Sequence, residues 1–233
     1  MNEIVLTDRP VVGPAWQQLG IMVNDGSGSI MDTIDVGSGE SAFTGTKAQA
    51  IAAAEAGLFD RMKIGRKAGN FEFAEVCFTD RVTGSWGPTA VGEIDTFADF
   101  DPTRHGTGGT LIGAGLEKAE ELAQQFLAAG LDGLPKSVVV LLLTDGQCGD
   151  AERTRAVAAR LTADPRITLA CAFFATKGQP PAGLGLLQQI CSQPANVFCR
   201  TVYDPETLRE FFHRSMTNPA SLPGTDLATG VTR

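Results

Sequence analysis

Short apolar runs alternate along the chain with longer segments in which apolar residues recur at helical spacing. The runs at residues 19–23, 136–143 and 167–174 are apolar at most positions, which is typical of strands covered on both faces in a parallel sheet. Helical spacing predicts helices at residues 47–62, 111–129, 152–161 and 184–191, and a last helix that begins at Asp204-Pro205-Glu206 with a capping aspartate and a first-turn proline. Strands that alternate with helices in this way define an α/β domain.

Three further segments complete the predicted sheet. Residues 70–79 alternate between apolar and polar side chains, which predicts a strand partly open to solvent, and residues 81–86 are expected to pair with it as an edge hairpin. Residues 197–202 predict a last short strand. We therefore predict a doubly wound α/β domain with a mostly parallel central sheet, an antiparallel edge strand and helices on both faces.

The segments without periodicity set the predicted domain boundaries. Residues 1–16 are expected to form an N-terminal arm, residues 17–216 the folded domain, and residues 217–233, which are rich in Pro, Gly, Ser and Thr, a flexible C-terminal tail. Residues 33–46 are longer than a usual strand-to-helix connection, so we interpret them as an insertion at one end of the sheet.

The polar loop directly after the first apolar run carries the most distinctive chemistry. Asp25, Ser27 and Ser29 occupy every second position, and the glycines between them have no Cβ, so the loop is able to aim a carboxylate and two hydroxyls at one point. Oxygen donors with few carboxylates suit Mg²⁺, which keeps several waters, better than a Ca²⁺ cage. A turn that only connects two elements is the structural alternative.

Two more oxygen-bearing residues are expected at the same end of the sheet. Thr110 lies in a glycine-rich loop before a predicted helix, and Asp145 follows the apolar run 136–143. Because ligands of such sheets bind outside the carboxyl ends of the strands, both side chains are expected near Asp25. Each also has a structural alternative as a helix cap. The conjunction of three such loops is more specific than any one of them.

This arrangement resembles the von Willebrand factor A-type (VWA) domain, whose metal-ion-dependent adhesion site (MIDAS) uses Asp-x-Ser-x-Ser, a distant Thr and a distant Asp. Residues 25–29 match the first element in full. Residues 108–111, Gly-Gly-Thr-Leu, look like the second element, and residues 143–146, Leu-Thr-Asp-Gly, look like the third. The resemblance spans roughly residues 17–214 and implies a VWA or Rossmann-like fold.

The resemblance also implies a metal-dependent role in binding other proteins. Ser27, Ser29 and Thr110 would hold Mg²⁺ directly, with Mn²⁺ and Ca²⁺ as alternative ions, and Asp25 and Asp145 would hold it directly or through water. A site with three neutral hydroxyls leaves the ion short of negative charge, so an Asp or Glu of a protein partner is the expected last ligand.

Stand-alone bacterial members of the family, including those associated with tellurium resistance, have a similar length. They suggest a cytoplasmic scaffold or regulatory protein that works beside a kinase or phosphatase, while a metal-chelatase complex with an AAA-type subunit is the other family option. The sequence departs from the family pattern at Asn24, where an apolar residue is usual, at Ile30, where Met is frequent, and in the length of residues 33–46. That segment is expected to shape the choice of partner.

Composition and charge narrow the partners. The chain of 233 residues has a formal net charge of −8 and no basic block, which argues against nucleic acid. No apolar run reaches the ~20 residues that span a bilayer, and the first residues lack the apolar core of a secretory signal, so we predict a cytoplasmic location and no membrane partner. The five cysteines show no C-x-x-C spacing, which predicts buried free thiols, with Cys148 the exception in a loop.

An enzymatic function is the main alternative. Ser27, Asp145 and His213 occur in the chain order of an α/β-hydrolase triad, but the G-x-S-x-G elbow is absent. The loop around Thr110 has no G-x-x-x-x-G-K-[ST] pattern for phosphate. His105, the histidine nearest to that loop in the sequence, is expected to be a surface residue. We therefore expect no catalytic residues and no enzymatic activity.

Overall fold

A computed structural model of the protein describes residues 16–36, 42–129, 133–176, 178 and 181–217. The predicted N-terminal arm, apart from Trp16, and the predicted C-terminal tail, apart from Thr217, lie outside the described residues. The predictions for those two segments therefore stay predictions.

Eight strands and six α-helices follow one another in the described part of the chain. The strands are β1 (Gln17–Asp25), β2 (Thr33–Val36), β3 (Phe43–Thr46), β4 (Phe71–Phe78), β5 (Val82–Ala90), β6 (Lys136–Thr144), β7 (Ile167–Phe174) and β8 (Cys199–Val202). The helices are α1 (Lys47–Lys63), α2 (Ile112–Ala128), α3 (Ala151–Ala163), α4 (Leu184–Ile190), α5 (Ala195–Phe198) and α6 (Pro205–Thr217).

Six of these strands form the central sheet, in the order β5-β4-β1-β6-β7-β8. Every neighbouring pair is parallel except β4 and β5, so β5 is an antiparallel edge strand. The predicted doubly wound, mostly parallel sheet is confirmed. Strands β2 and β3 pair with each other in a separate antiparallel sheet, so the described residues of the segment interpreted as an insertion include two paired strands.

The helices cover both faces of the sheet, as alternate residues of β1 show. The Gln18 amide donates to the main-chain oxygen of Met216 in α6, and the Asn24 amide donates to Glu55 in α1, so α1 and α6 lie on one face. Val23 points to the other face, where it meets α2 at Gly115. A Cβ at Gly115 would lie 2.7 Å from a ring carbon of Phe78, so this glycine lets α2 pack closely on the sheet.

One strand prediction was wrong in its exposure. The alternating pattern of β4 predicted a face open to solvent, but every residue of β4 except Glu72 is buried. The polar side chain in its centre, Glu75, is fully buried because it is paired inside the protein, as described below. Alternation therefore marked a buried polar network and not a solvated face.

The described part of the chain also shows the lengths of the helices and the burial of the cysteines. The longest described helices, α1 and α2, have 17 residues each, and none in the described part of the chain is long and apolar enough to cross a membrane. Four of the five cysteines are buried free thiols, whereas Cys148 is half-buried. Partial burial raises the pKa of the Cys148 thiol, which makes it a poorer nucleophile at neutral pH.

Candidate metal centre

The predicted site residues lie at one end of the central sheet. Asp25 is the last residue of β1, and Asp145 follows directly after β6. These two strands are parallel neighbours, with Asn24 opposite Leu143 in the register. The carboxyl ends of the strands therefore bring the two aspartates together, as the sequence predicted.

Asp25 is fully buried and both of its carboxylate oxygens are engaged. The main-chain N–H of Ser27 donates to Oδ1 at 2.8 Å, and the Thr144 hydroxyl donates to Oδ2 at 2.5 Å. Burial raises the pKa of Asp25 to about 6, although these hydrogen bonds oppose the shift. Asp25 therefore anchors the loop to β6.

The two serine hydroxyls and Asp145 form a chain of contacts above Asp25. Ser27 Oγ and Ser29 Oγ are 3.3 Å apart, and Ser29 Oγ donates to Oδ1 of Asp145 at 2.6 Å. Ser27 precedes the 3-10 helix Gly28–Met31, but its side chain makes no capping hydrogen bond. Ser29 thus faces Asp145 and the two serine hydroxyls face each other, which the alternative as plain turn residues does not explain.

Thr110 completes the cluster around a small space in front of Gly146. A methyl group built on Gly146 would lie 3.2 Å from Thr110 Oγ1 and 3.7 Å from Ser29 Oγ. The residues that directly precede α2 and α3 are Leu111 and Asp150, so neither Thr110 nor Asp145 is at the cap position. The helix-cap alternatives for these two residues are therefore wrong, and three loops converge on one point.

Main-chain hydrogen bonds tie these loops together. The Gly28 N–H donates to the carbonyl of Gly108 at 3.2 Å, and the Gly149 N–H donates to the carbonyl of Thr110 at 2.8 Å. The N–H of Gly26 donates to the carbonyl of Phe78 at 2.7 Å at the end of β4. The donors are therefore held in place by the backbone as well as by their side-chain contacts.

Lys47 belongs to this site, although the sequence reasoning placed it only at the start of a helix. Its ammonium lies 2.5 Å from Oδ2 of Asp145, and the Asp145 side chain has no exposed surface. A lysine at the first position of a helix opposes the helix dipole, so this position was a usable signal for a nearby anion.

A buried polar network that the sequence reasoning also missed lies behind Asp25 on the α1 face. The Asn24 amide donates to Glu55 at 2.6 Å and to Glu75 at 3.3 Å. Glu75 also accepts from the Trp86 indole at 2.6 Å and forms a salt bridge with Arg104. Burial, with the nearby charge of Glu75, raises the pKa of Glu55 well above its ordinary value. Asn24, which stands where the VWA pattern has an apolar residue, bridges these two glutamates.

The structure does not assemble the hydrolase triad. His213 lies with Trp16 and Gln18 at the end of the sheet where β1 begins, whereas Ser27 follows the opposite end of β1. The nine residues of this strand separate its two ends by about 26 Å. His105 is an exposed loop residue beside Gly84 of β5, as expected.

The two glycines of the first loop provide a matched pair of variants. A Cβ on Gly26 would lie 2.7 Å from the carbonyl oxygen of Pro102, whereas a Cβ on Gly28 meets no atom within 4 Å. Gly26→Ala is expected to lower the free energy of unfolding by about 1–3 kcal/mol, because a main-chain atom must move. Gly28→Ala is expected to change it by less than about 0.5 kcal/mol. Urea unfolding of both variants measures the difference, and equal stabilities would contradict the close contact.

The donor set fits a hard divalent cation. In the described part of the chain, no group of three or more His, Cys, Asp or Glu residues is placed to hold a metal ion. A cation at this site would instead rest on two carboxylates and three hydroxyls around the space in front of Gly146. Such all-oxygen donors suit Mg²⁺ or Mn²⁺ and not a soft thiolate-bound metal.

Solved structures with a similar fold include a pilus adhesin. The chain is similar to the pilus adhesin SpaC from Lactobacillus rhamnosus GG, with a TM-score of 0.66 and 11% identity over 90% of this chain and 30% of SpaC. Manganese-loaded TRAP protein of Plasmodium vivax gives a TM-score of 0.53 and 17% identity over 90% of this chain and 74% of that one. Proximal thread matrix protein 1 from the mussel byssus, with a zinc-occupied MIDAS motif, gives a TM-score of 0.53 and 21% identity over 88% of this chain and 46% of that one.

These similarities establish the fold. At such identities they support a VWA-like α/β fold and nothing finer, and the chain spans less than a third of the length of SpaC. No known protein family and no curated protein matches the sequence.

Proposed function

We propose that this chain is a metal-dependent protein-interaction module without catalytic activity. The observation that supports it most is the convergence of the Ser29 and Thr110 hydroxyls on the space in front of Gly146. The residues that would hold Mg²⁺, or Mn²⁺, directly or through water are Asp25, Ser27, Ser29, Thr110 and Asp145.

A bound cation would supply a positive charge with a coordination position open to an outside anion. The exposure of neighbouring residues supports this, because Gly28, Gly109 and Gln147 are exposed next in sequence to the half-buried residues of the site. A carboxylate of a partner protein is the anion that this chemistry favours. The manganese in TRAP and the zinc in the mussel protein support a divalent ion in a fold of this kind.

The same residues argue against an enzyme. Ser29 donates its hydroxyl proton to Asp145, and the carboxylate of Asp25 accepts from Thr144, so neither serine has a histidine or a free base beside it. Lys47, the one basic side chain paired with these aspartates in the described residues, is already held by Asp145.

We propose a role as a cytoplasmic bacterial scaffold beside a kinase, a phosphatase or an AAA-type subunit, with a tellurium-resistance context as one option.

Thr110→Ala is the variant that tests this function, with Thr107→Ala as its matched control in the same loop. Calorimetric titration with Mn²⁺ is expected to give one site in the wild type, at least tenfold weaker binding in Thr110→Ala, and no change in Thr107→Ala, because Thr107 is exposed and outside the cluster. Partner capture from lysate on the immobilised chain is expected to require the cation and to be lost in chelator and in Thr110→Ala.

Three results would count against the proposal. Equal Mn²⁺ affinities of the two threonine variants would show that Thr110 does not contribute to the cation site. Partners that stay bound equally well in chelator would show that the cation does not contribute to the interface. Esterase or phosphatase turnover that Ser27→Ala abolishes would favour the enzymatic alternative.

A further inference from the structure

Lys47, the first residue of α1, places a buried positive charge inside the candidate metal centre. Its ammonium donates to Oδ2 of Asp145 at 2.5 Å and lies 3.5 Å from the main-chain oxygen of Ser29. The side chain of Lys47 is 5% exposed and that of Asp145 is 0% exposed. The carboxylate of Asp32, which is 64% exposed, lies 3.5 Å away on the outer side. Asp145 is therefore the buried counter-ion of Lys47.

The position of this lysine is unfavourable unless an anion holds it there. The N-terminal end of a helix carries a partial positive charge, which repels a cation in the first turn. Burial also removes the ammonium from water, at a large cost for an unpaired charge. The start of α1 is fixed by a capping box of Thr46 and Gln49, and the Lys47 N–H donates to the carbonyl of Asp32 at 3.1 Å. The helix is thus set so that its first side chain enters the site.

Both oxygens of Asp145 are therefore engaged by groups of the protein. Oδ1 accepts from the Ser29 hydroxyl, and Oδ2 accepts from Lys47. Asp25 and Asp145 are the carboxylates that the proposed function assigns to the cation, and the ammonium cancels one of their two negative charges. No other basic side chain in the described residues forms a salt bridge with either aspartate.

We propose that Lys47 competes with the divalent cation for Asp145 and so lowers the affinity of the site for the cation, an inference that rests on the function proposed above. A site with one net negative charge binds a dication more weakly than a site with two. A carboxylate from a partner restores the missing charge, so cation and partner each strengthen the binding of the other. Lys47 thereby couples occupation of the site to the presence of an acidic partner.

Lys47→Met tests this inference because it removes the charge and keeps an unbranched side chain. Lys67→Met, at an exposed position after α1, is the matched control. Two measurements are made on each purified chain: calorimetric titration with Mn²⁺, and the unfolding temperature in chelator and in Mn²⁺. Lys47→Met is expected to bind Mn²⁺ at least tenfold more tightly than the wild type. Its unfolding temperature is expected to fall in chelator and to rise more on adding Mn²⁺, whereas Lys67→Met matches the wild type in both measurements.

The outcomes separate this inference from the proposed function. If the wild type binds Mn²⁺ and Lys47→Met binds it equally or more weakly, the competition is overturned and the proposed function stands. If only Lys47→Met binds, the competition is supported and metal dependence of the native chain fails. If neither binds, both fail. Lys47→Gln, which keeps a neutral donor, serves as the second variant, and if neither variant folds, Lys47 is required for folding and the proposal is overturned.

Discussion

Asp25→Asn is expected to weaken Mn²⁺ binding by about 10- to 100-fold. The substitution removes the charge of a fully buried carboxylate and keeps its shape. In this variant the amide oxygen still accepts a hydrogen bond from the main-chain N–H of Ser27. The Thr144 hydroxyl, which donates to the carboxylate in the wild type, is able to accept from the amide NH₂ instead. The loop is therefore expected to keep its conformation while the attraction for a dication falls.

Asp95→Asn is the matched control for that variant. Asp95 makes the same local contact, in which its Oδ1 accepts from the main-chain N–H two residues later at 3.0 Å, but it is exposed in another loop. Calorimetry on the two variants and on the wild type measures the difference. A wild-type Mn²⁺ affinity in Asp25→Asn would show that the charge of Asp25 does not contribute to the site, and a circular dichroism spectrum of each variant checks the fold.

Glu75→Gln is expected to lower the free energy of unfolding by about 3 kcal/mol. The Glu75 side chain has no exposed surface and pairs with Arg104, whose side chain is 15% exposed. Glutamine would leave the guanidinium with a neutral partner and would bring an amide NH₂ toward the donors of Arg104 and Trp86. Urea unfolding at pH 7 gives the measurement.

Glu55→Gln tests the second buried glutamate of the network, through the pH dependence of the free energy of unfolding. Burial and the charge of Glu75 raise the pKa of Glu55, so the folded protein keeps a proton there after the unfolded chain has lost it. The resulting stability is fully present below the ordinary pKa of glutamate and is lost as the pH rises through the folded pKa. Glu55→Gln cannot ionise, so its stability is expected to fall less than that of the wild type as the pH rises above 5. Equal pH dependence would show that Glu55 is ionised in the fold.

The element order was predictable because most strands and helices carry a clear period. The run 136–143 and the helix from Lys47 were confirmed within a residue or two of their observed ends, and the Asp204 cap was confirmed by its 2.8 Å bond from the Thr207 N–H. The exposure of β4 was not predictable, because an alternating pattern shows that Glu75 is polar but does not show whether its side chain is solvated or buried. Its half-buried partner Arg104 lies 29 residues away in an irregular loop.

The proximity of the candidate site residues was predictable from the sequence, whereas the positive charge beside them was not. Asp25, Ser27 and Ser29 share one loop, so their proximity follows from the local sequence, and parallel neighbouring strands bring Asp145 to them. Lys47 reaches Asp145 only because the paired strands β2 and β3 return the chain to the site before α1 begins. Lys47 and Asp145 are 98 residues apart in the sequence, so no hydrophobic or polar period predicts their contact.

The main-chain hydrogen bonds between the site loops also bear on the thermodynamics of ligand binding. Gly28 is bonded to Gly108, Gly149 to Thr110, and Gly26 to the end of β4, so the loops that carry the donors are ordered by the fold itself. The conformational entropy of these loops is therefore lost during folding and not again when a ligand binds. A preorganised site of this kind keeps more of its interaction energy as affinity, so the proposed interaction module would need only a small interface to hold a ligand.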